Sequence, residues 1–173
     1  MEEVDFLARV RDWAIPALKG IIGIDDDALE RYLQAMNRLD PKLPRQIIHR
    51  DPNPSNIIVS GDQWGFIDFD LSERNVRIFD PCYAATASLS ETYEEGNVEK
   101  LQKWISVMKE IMLGYDAVVH LSDEEKEAIP YVILSNQLLA TAWFAGKEKY
   151  QSIFEVNRKM TNWIMQNFEQ LSL

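Results

Sequence analysis

The chain has 173 residues, a single cysteine, 46% hydrophobic residues, 10% aromatics and a net charge of −10. That length and apolar content suffice for one globular core spanning residues 1–173 and exclude wholesale disorder. The acidic balance argues against nucleic-acid binding, the apolar stretches are too short and interrupted for a bilayer, no leader resembles a signal peptide, and lone Cys82 fits a reducing cytoplasm. From the amino terminus, Val4, Leu7, Ala8, Val10, Trp13 and Ala14 give residues 1–19 a rough helical pattern, interrupted by Pro16. Residues 25–39 carry Leu29, Tyr32, Leu33 and Met36 at helical spacing, with Asp25, Asp26 and Asp27 at the positive end of the helix dipole. Gln46-Ile47-Ile48 reads as a short strand. Asn56 to Val59 and Trp64 to Ile67 read as a hairpin turned by Ser60-Gly61-Asp62-Gln63. The remainder predicts four helices. The first starts with Asp80 as N-cap and Pro81 at the first helical position and runs to about Thr92. The second covers 98–118 and the third 123–145, opened by a Ser122/Glu125 capping box and kinked or split at Pro130. A strongly amphipathic closing helix covers 147–171.

The chemistry sits between Ile47 and Asp70. His49, Asp51 and Asn56 fit a His-x-Asp-x-x-x-x-Asn loop, and Asp68 follows on the far side of the hairpin. Pro52 and Pro54 forbid helix and push Asp51 and Asn53 toward extended backbone, so the loop is stiff although irregular. The hairpin can bring Asn56, at the start of one strand, near Asp68, at the end of the other. Asp68 offers a charged oxygen and Asn56 a neutral amide oxygen, a set suited to magnesium, which takes one or two carboxylates and completes its shell with phosphates and water. Asp51, on the preceding loop, is free to accept a hydrogen bond from a substrate hydroxyl. Phosphoryl transfer from a nucleotide to an alcohol needs that combination.

These residues resemble the catalytic lobe of the aminoglycoside phosphotransferase and choline kinase-like enzymes, relatives of the protein kinases. His49-Arg50-Asp51 resembles His-Arg-Asp with Asn56 at the matching offset. Asp68-Phe69-Asp70 resembles Asp-Phe-Gly, and Asp80-Pro81 resembles the Asp-Pro that often opens the next helix. The motif-bearing part runs from 46 to 87. The resemblance implies a mainly α chain with one small β-hairpin, the carboxy-terminal lobe of a kinase-like fold. Its roles would be Asp51 as base or hydroxyl-orienting carboxylate, Asn56 and Asp68 as ligands of Mg2+ bridging the phosphates of ATP (or GTP), and His49 as loop support. Asp70 is left open between backing the metal site, touching substrate and lying on the surface. Three departures stand out: the small-molecule kinases often carry Gly where Arg50 stands, many protein kinases carry Lys where Asn53 stands, and the second acid often found three residues after the Asp-Pro is Ala84.

No Gly-x-Gly-x-x-Gly occurs anywhere, and the segment before His49 reads as helix. The chain therefore reads as that lobe alone, without the ATP-clamping amino-terminal lobe, whether as a cut piece, a truncated reading frame or a natural fragment. The expected activity is Mg-dependent phosphoryl transfer to a small-molecule hydroxyl, with an antibiotic or amino alcohol as acceptor. The net charge is compatible with steering a cationic acceptor, although it speaks more directly to solubility. The alternative is a non-catalytic remnant that binds a ligand or partner. A metal-dependent phosphohydrolase is disfavoured, because one Asn and one Asp are few ligands for two-metal work. Bare apolar surface on the lobe predicts self-association. Cys82, just inside a helix start, is placed for a lowered thiol pKa but lacks a base. Trp143 and Phe144 read as core or interface, or as a stacking surface for a cationic ligand.

Overall fold

In the computed structural model, which describes residues 4–20, 23 and 25–173, the chain is mainly helical with two small antiparallel sheets. The pattern predicted for residues 1–19 forms a broken helical ribbon, its first three residues lying outside the described set. The ribbon comprises α1 (Phe6–Arg9), a π turn (Val10–Ala14) and α2 (Ile15–Leu18). Pro16 sits in the first turn of α2, where its missing N–H costs little. Helix α3 (Asp26–Leu39) starts on Asp25, whose carboxylate accepts the Asp27 N–H at 3.2 Å, and carries acids in its first turn as the dipole favours.

Four strands follow: β1 (Arg45–Ile48), β2 (Ile57–Ser60), β3 (Gln63–Phe66) and β4 (Glu73–Val76). The β2–β3 hairpin has the expected turn, with Ser60 opposite Gln63 and Gly61 at φ +58°. Strand β4 was not anticipated. Its Glu-Arg-Asn-Val lacks the apolar alternation of a half-buried strand. It pairs with β1, Arg45 opposite Val76 and Ile48 opposite Glu73, and its polar residues are satisfied inside: Glu73 accepts from Asn75 Nδ2 at 2.9 Å and pairs with Arg9 Nη1 at 3.1 Å.

The helices α4 (Phe79–Thr92), α5 (Val98–Val119), α6 (Asp123–Phe144) and α7 (Gln151–Gln166) complete the fold. Helix α6 is buried on all sides, as Ile129, Val132, Ile133, Leu134 and Leu138 show, so it forms the centre against which α3, α4, α7 and the amino-terminal ribbon pack. The Ser122/Glu125 capping box is present in both directions. Helix α6 runs unbroken through Pro130, so it is not split there.

Two expectations need correction. The closing helix is shorter than 147–171: a 3-10 turn precedes α7, the α-helix ends at Gln166, and a second 3-10 turn covers Phe168–Leu171. Asp80 is not the N-cap of α4, because Ile78 holds that place and Asp80 lies in the first turn. Its carboxylate is engaged elsewhere. Among the described residues no helix is long and apolar enough to cross a membrane.

Candidate active site

The loop from His49 to Asn56 leaves β1 and returns into β2, and almost every polar group on it is tied down. Its entry is held by Asp80, whose two carboxylate oxygens accept the backbone N–H groups of His49 (2.7 Å) and Arg50 (2.9 Å). Arg50 takes a left-handed backbone, φ +74°. Glycine adopts that conformation without a Cβ penalty, which gives a physical reason for glycine at this position in relatives. Here Arg50 Nε offsets the strain by pairing with buried Glu73 at 3.4 Å. Burial pushes the Asp80 carboxyl above its ordinary value, against the pull of those two N–H groups.

His49 is buried, its ring packed at a tilt against Phe69 (4.5 Å between centroids) and near Phe66 (5.4 Å). Its Nε2 bonds the Ile67 carbonyl at 2.8 Å and its Nδ1 accepts the Asp51 N–H at 3.3 Å. A nitrogen that accepts from a backbone amide carries no proton, so Nε2 is the donor and the tautomer is set. His49 thereby straps the loop to the segment that leads into Asp68.

Asp51 is held by three neutral donors. Tyr83 Oη and Asn53 Nδ2 donate to Oδ1 at 2.8 and 2.9 Å, and Asn56 Nδ2 donates to Oδ2 at 3.2 Å. Burial and the neighbouring Asp51 carboxylate push the Tyr83 phenol well above its ordinary value, so it stays a donor. Asn53 also caps the 3-10 turn Pro54–Asn56 through the Ser55 N–H at 2.9 Å. Asn53 thus has a structural task where many protein kinases place a lysine.

Asn56 directs its amide NH2 to the Asp51 carbonyl at 2.9 Å, which turns its side-chain oxygen away from Asp51. Its own carbonyl accepts the Ile67 N–H at 3.0 Å. The hairpin thus closes with Asn56 against Ile67, one residue before Asp68. Asp68 is exposed, takes φ +65°, and its carboxylate has no hydrogen bond or ion pair among the described residues. Asp70 is likewise exposed. The structure therefore brings His49, Asp51 and Asn56 together, places Asp68 at the adjoining hairpin end, and leaves Asp70 on the surface.

Asn56 and Asp68 offer one amide oxygen and one carboxylate, oxygen donors of the kind a hard cation takes together with phosphate and water. Among the described residues no group of three or more His, Cys, Asp or Glu gathers that could hold a metal ion.

Two clefts open near the loop, one lined by Asp51 itself and one by its partners Asn53 and Tyr83. One, of ≈ 520 Å³, is lined by Asp51, Arg50, Arg9, Tyr83, Trp143 and other residues of α1, α4 and α6. The second, of ≈ 450 Å³, lies between α4, α6 and α7 and shares Tyr83, Asn136, Ala140 and Phe144 with the first. Sequence reasoning missed Tyr83, because a helix tyrosine 32 positions from Asp51 carries no local signal. It also missed that Asp80 acts on the loop rather than on its own helix. Cys82 corrects a further expectation: its thiol is fully buried against the Ile129 carbonyl (3.9 Å), and burial raises its pKa instead of the helix start lowering it.

A proline-stiffened loop that presents a carboxylate, strapped by a histidine to the end of a hairpin, is an arrangement that suits phosphoryl transfer. Residues 3–105, well over half of the chain, match the model of the Phosphotransferase enzyme family, and the chain belongs to that family. Among solved structures it is similar to an ethanolamine kinase of Plasmodium vivax, with 18% identity and a TM-score of 0.55. The match covers 94% of this chain and 48% of the other, so the chain spans about half the length of that structure. At that identity the likeness concerns the fold. No curated protein matches the chain significantly.

Proposed function

We propose that the chain is the acceptor-binding and metal-binding part of a phosphotransferase that moves the terminal phosphoryl group of ATP (or GTP) to a small-molecule hydroxyl. The observation that carries this reading is the fixed Asp51 carboxylate, held by three neutral side chains on the lining of a cleft of ≈ 520 Å³. Asp51 accepts a hydrogen bond from the acceptor hydroxyl, aligns its oxygen for in-line attack and takes its proton as the bond to phosphorus forms and the bond from phosphorus to the departing nucleoside diphosphate breaks. Tyr83, Asn53 and Asn56 hold the carboxylate in that pose, so little reorganisation is needed during reaction. Asn56 and Asp68 are the residues that would hold Mg2+, and His49 keeps their two segments in register. When bound, the ion would neutralise charge on the phosphates. Asp70, exposed two residues after Asp68, would back that site.

The cross-strand pair Val59 and Trp64, each roughly two-thirds exposed, supports self-association of this chain through its hairpin face. Sedimentation that stays monomeric at high concentration would remove that part. The function itself is tested by nucleotide-dependent phosphorylation of an alcohol panel with wild type and Asp51→Asn. Transfer by the wild type and not by the variant supports the reading. Equal transfer removes Asp51 from the mechanism. Ligand binding without any transfer favours the non-catalytic remnant.

A further inference from the structure

The net charge of −10 suggests a site for cations, but the charge around Asp51 is arranged otherwise. Among the residues lining the larger cleft the charged ones are Arg9, Arg50 and Asp51, and the second cleft has no charged lining residue. Arg9 and Arg50 both pair with Glu73, which is 6% exposed. The Asp51 carboxylate already accepts three hydrogen bonds. The ring of Trp143, an obvious face for an ammonium, carries the chain's own Lys147 Nζ at 3.2 Å from its centre. The cleft lining thus carries two guanidiniums against the single carboxylate of Asp51, and the Trp143 ring already holds a lysine, so the lining gives an ammonium no advantage over a neutral hydroxyl donor.

Asn136 lies where the two clefts meet. It is 3% exposed, its Nδ2 donates to the Phe79 carbonyl at 3.3 Å, and its Oδ1 is buried without a partner. Flipping the amide would face its oxygen to the Phe79 carbonyl oxygen, so this orientation is the favourable one. A buried acceptor without a donor costs free energy, and a ligand hydroxyl that reaches it recovers that cost. The cleft walls on either side are Phe79, Tyr83, Leu139, Trp143 and Phe144.

We propose that the acceptor is an uncharged polyhydroxyl compound with an apolar body. One hydroxyl meets Asp51, a second donates to Asn136 Oδ1, and the apolar part lies against the aromatic wall. The proposal rests on the phosphotransferase reading and names its substrate class, with Asn136 as the residue that selects it. The discriminating experiment is calorimetric titration of the 173-residue chain, without metal or nucleotide, using phenyl β-glucoside, choline and glucosamine. Phenyl β-glucoside is expected to bind at least about tenfold more tightly than either cation, and Asn136→Leu to weaken it about tenfold, the loss expected for one buried hydrogen bond. Asn136→Asp, which keeps the shape and adds a negative charge, is expected to shift preference toward the cations. The proposal is overturned if choline or glucosamine binds wild type as well as or better than the glucoside, or if the glucoside does not bind. It is equally overturned if a folded Asn136 variant keeps wild-type affinities, since the amide then serves only an internal water. Should both variants misfold, the wild-type ranking still decides. Because titration needs no transfer, its failure leaves the Asp51 mechanism standing, and the Asp51→Asn assay judges that separately.

Discussion

The two segments that carry the candidate site residues are built differently. The loop His49–Asn56 is fastened from all sides: Asp80 holds its entry, Tyr83 and Asn53 hold its carboxylate, and Asn56 closes its exit. The segment Ile67–Leu71 is exposed throughout, and it is linked by the Ile67 backbone, bonded to Asn56 and His49, by the Phe69 ring against His49 and by the Phe69 carbonyl, which accepts the Ser72 N–H. The difference teaches that the chain pre-organises the Asp51 carboxylate and leaves the Asp68 carboxylate free of partners among the described residues. Under the proposed function, positioning of the acceptor would then be a property of the helical core, reached through α4 and α6, and positioning of the phosphates would depend on groups beyond Asp68.

That contrast can be broken most sharply by paired substitutions. Asp51→Asn keeps one acceptor oxygen for Tyr83 and Asn53 and loses the one that faces Asn56, whose NH2 keeps the Asp51 carbonyl, so its stability should fall by no more than about 1 kcal/mol while turnover in a nucleotide-coupled assay falls about a thousandfold, within the span expected of a positioned base. Asp68→Gly should also abolish metal-dependent transfer, by about a hundredfold or more. Its stability in urea should be equal to wild type or higher by up to about 1 kcal/mol, because glycine relieves the left-handed φ of +65° and no partner of the carboxylate is lost among the described residues. A clear loss of stability there would show that the exposed segment is more fixed than it looks.

Asp80→Ala should cost about 2 kcal/mol in urea unfolding, since two backbone donors lose their acceptor and the strained Arg50 loses its anchor. The pH dependence has a definite sign. Burial raises the folded Asp80 pKa above the unfolded value, so between the two values the folded state binds more protons and the Asp80 contribution to stability falls as pH rises. The stability gap between wild type and Asp80→Asn should be widest below the ordinary carboxyl value and narrow as pH climbs through the folded one. A gap that widens with pH contradicts the assignment. Tyr83→Phe should lower turnover about tenfold with KM little changed, because one of three bonds that aim Asp51 is lost. The smallest effect is expected for Arg50→Gly, within about 1 kcal/mol, because relief of φ strain is offset by the lost Glu73 pair.

Much of this was legible in the sequence where the physics is local. The loop motif, the hairpin with its Gly61 turn, the capping box at Ser122 and the core stripe of α3 all follow from spacings of a few residues. What escaped depends on partners far along the chain. Strand β4 is polar and reads as a loop, and it becomes a strand by pairing with β1 while its buried Glu73 meets Arg9, 64 residues away, and Arg50. Asp80-Pro81 has the look of a helix start, and nothing nearby says that the carboxylate serves the His49 and Arg50 amides. The short α7 also differs from its apolar pattern, because that pattern continues through the 3-10 turns that bound it. The choice of a neutral acceptor could not be read from a net charge either, since it depends on Lys147 covering one ring and on Asn136 lacking a donor.

The most direct test of a shared site is to replace magnesium with paramagnetic Mn2+ in the presence of nucleotide and follow the backbone amide resonances of the chain. Selective broadening at Asp51, Asn56 and Asp68, lost in Asp68→Gly, is the predicted result. Broadening centred elsewhere, with those three amides sharp, would contradict the account.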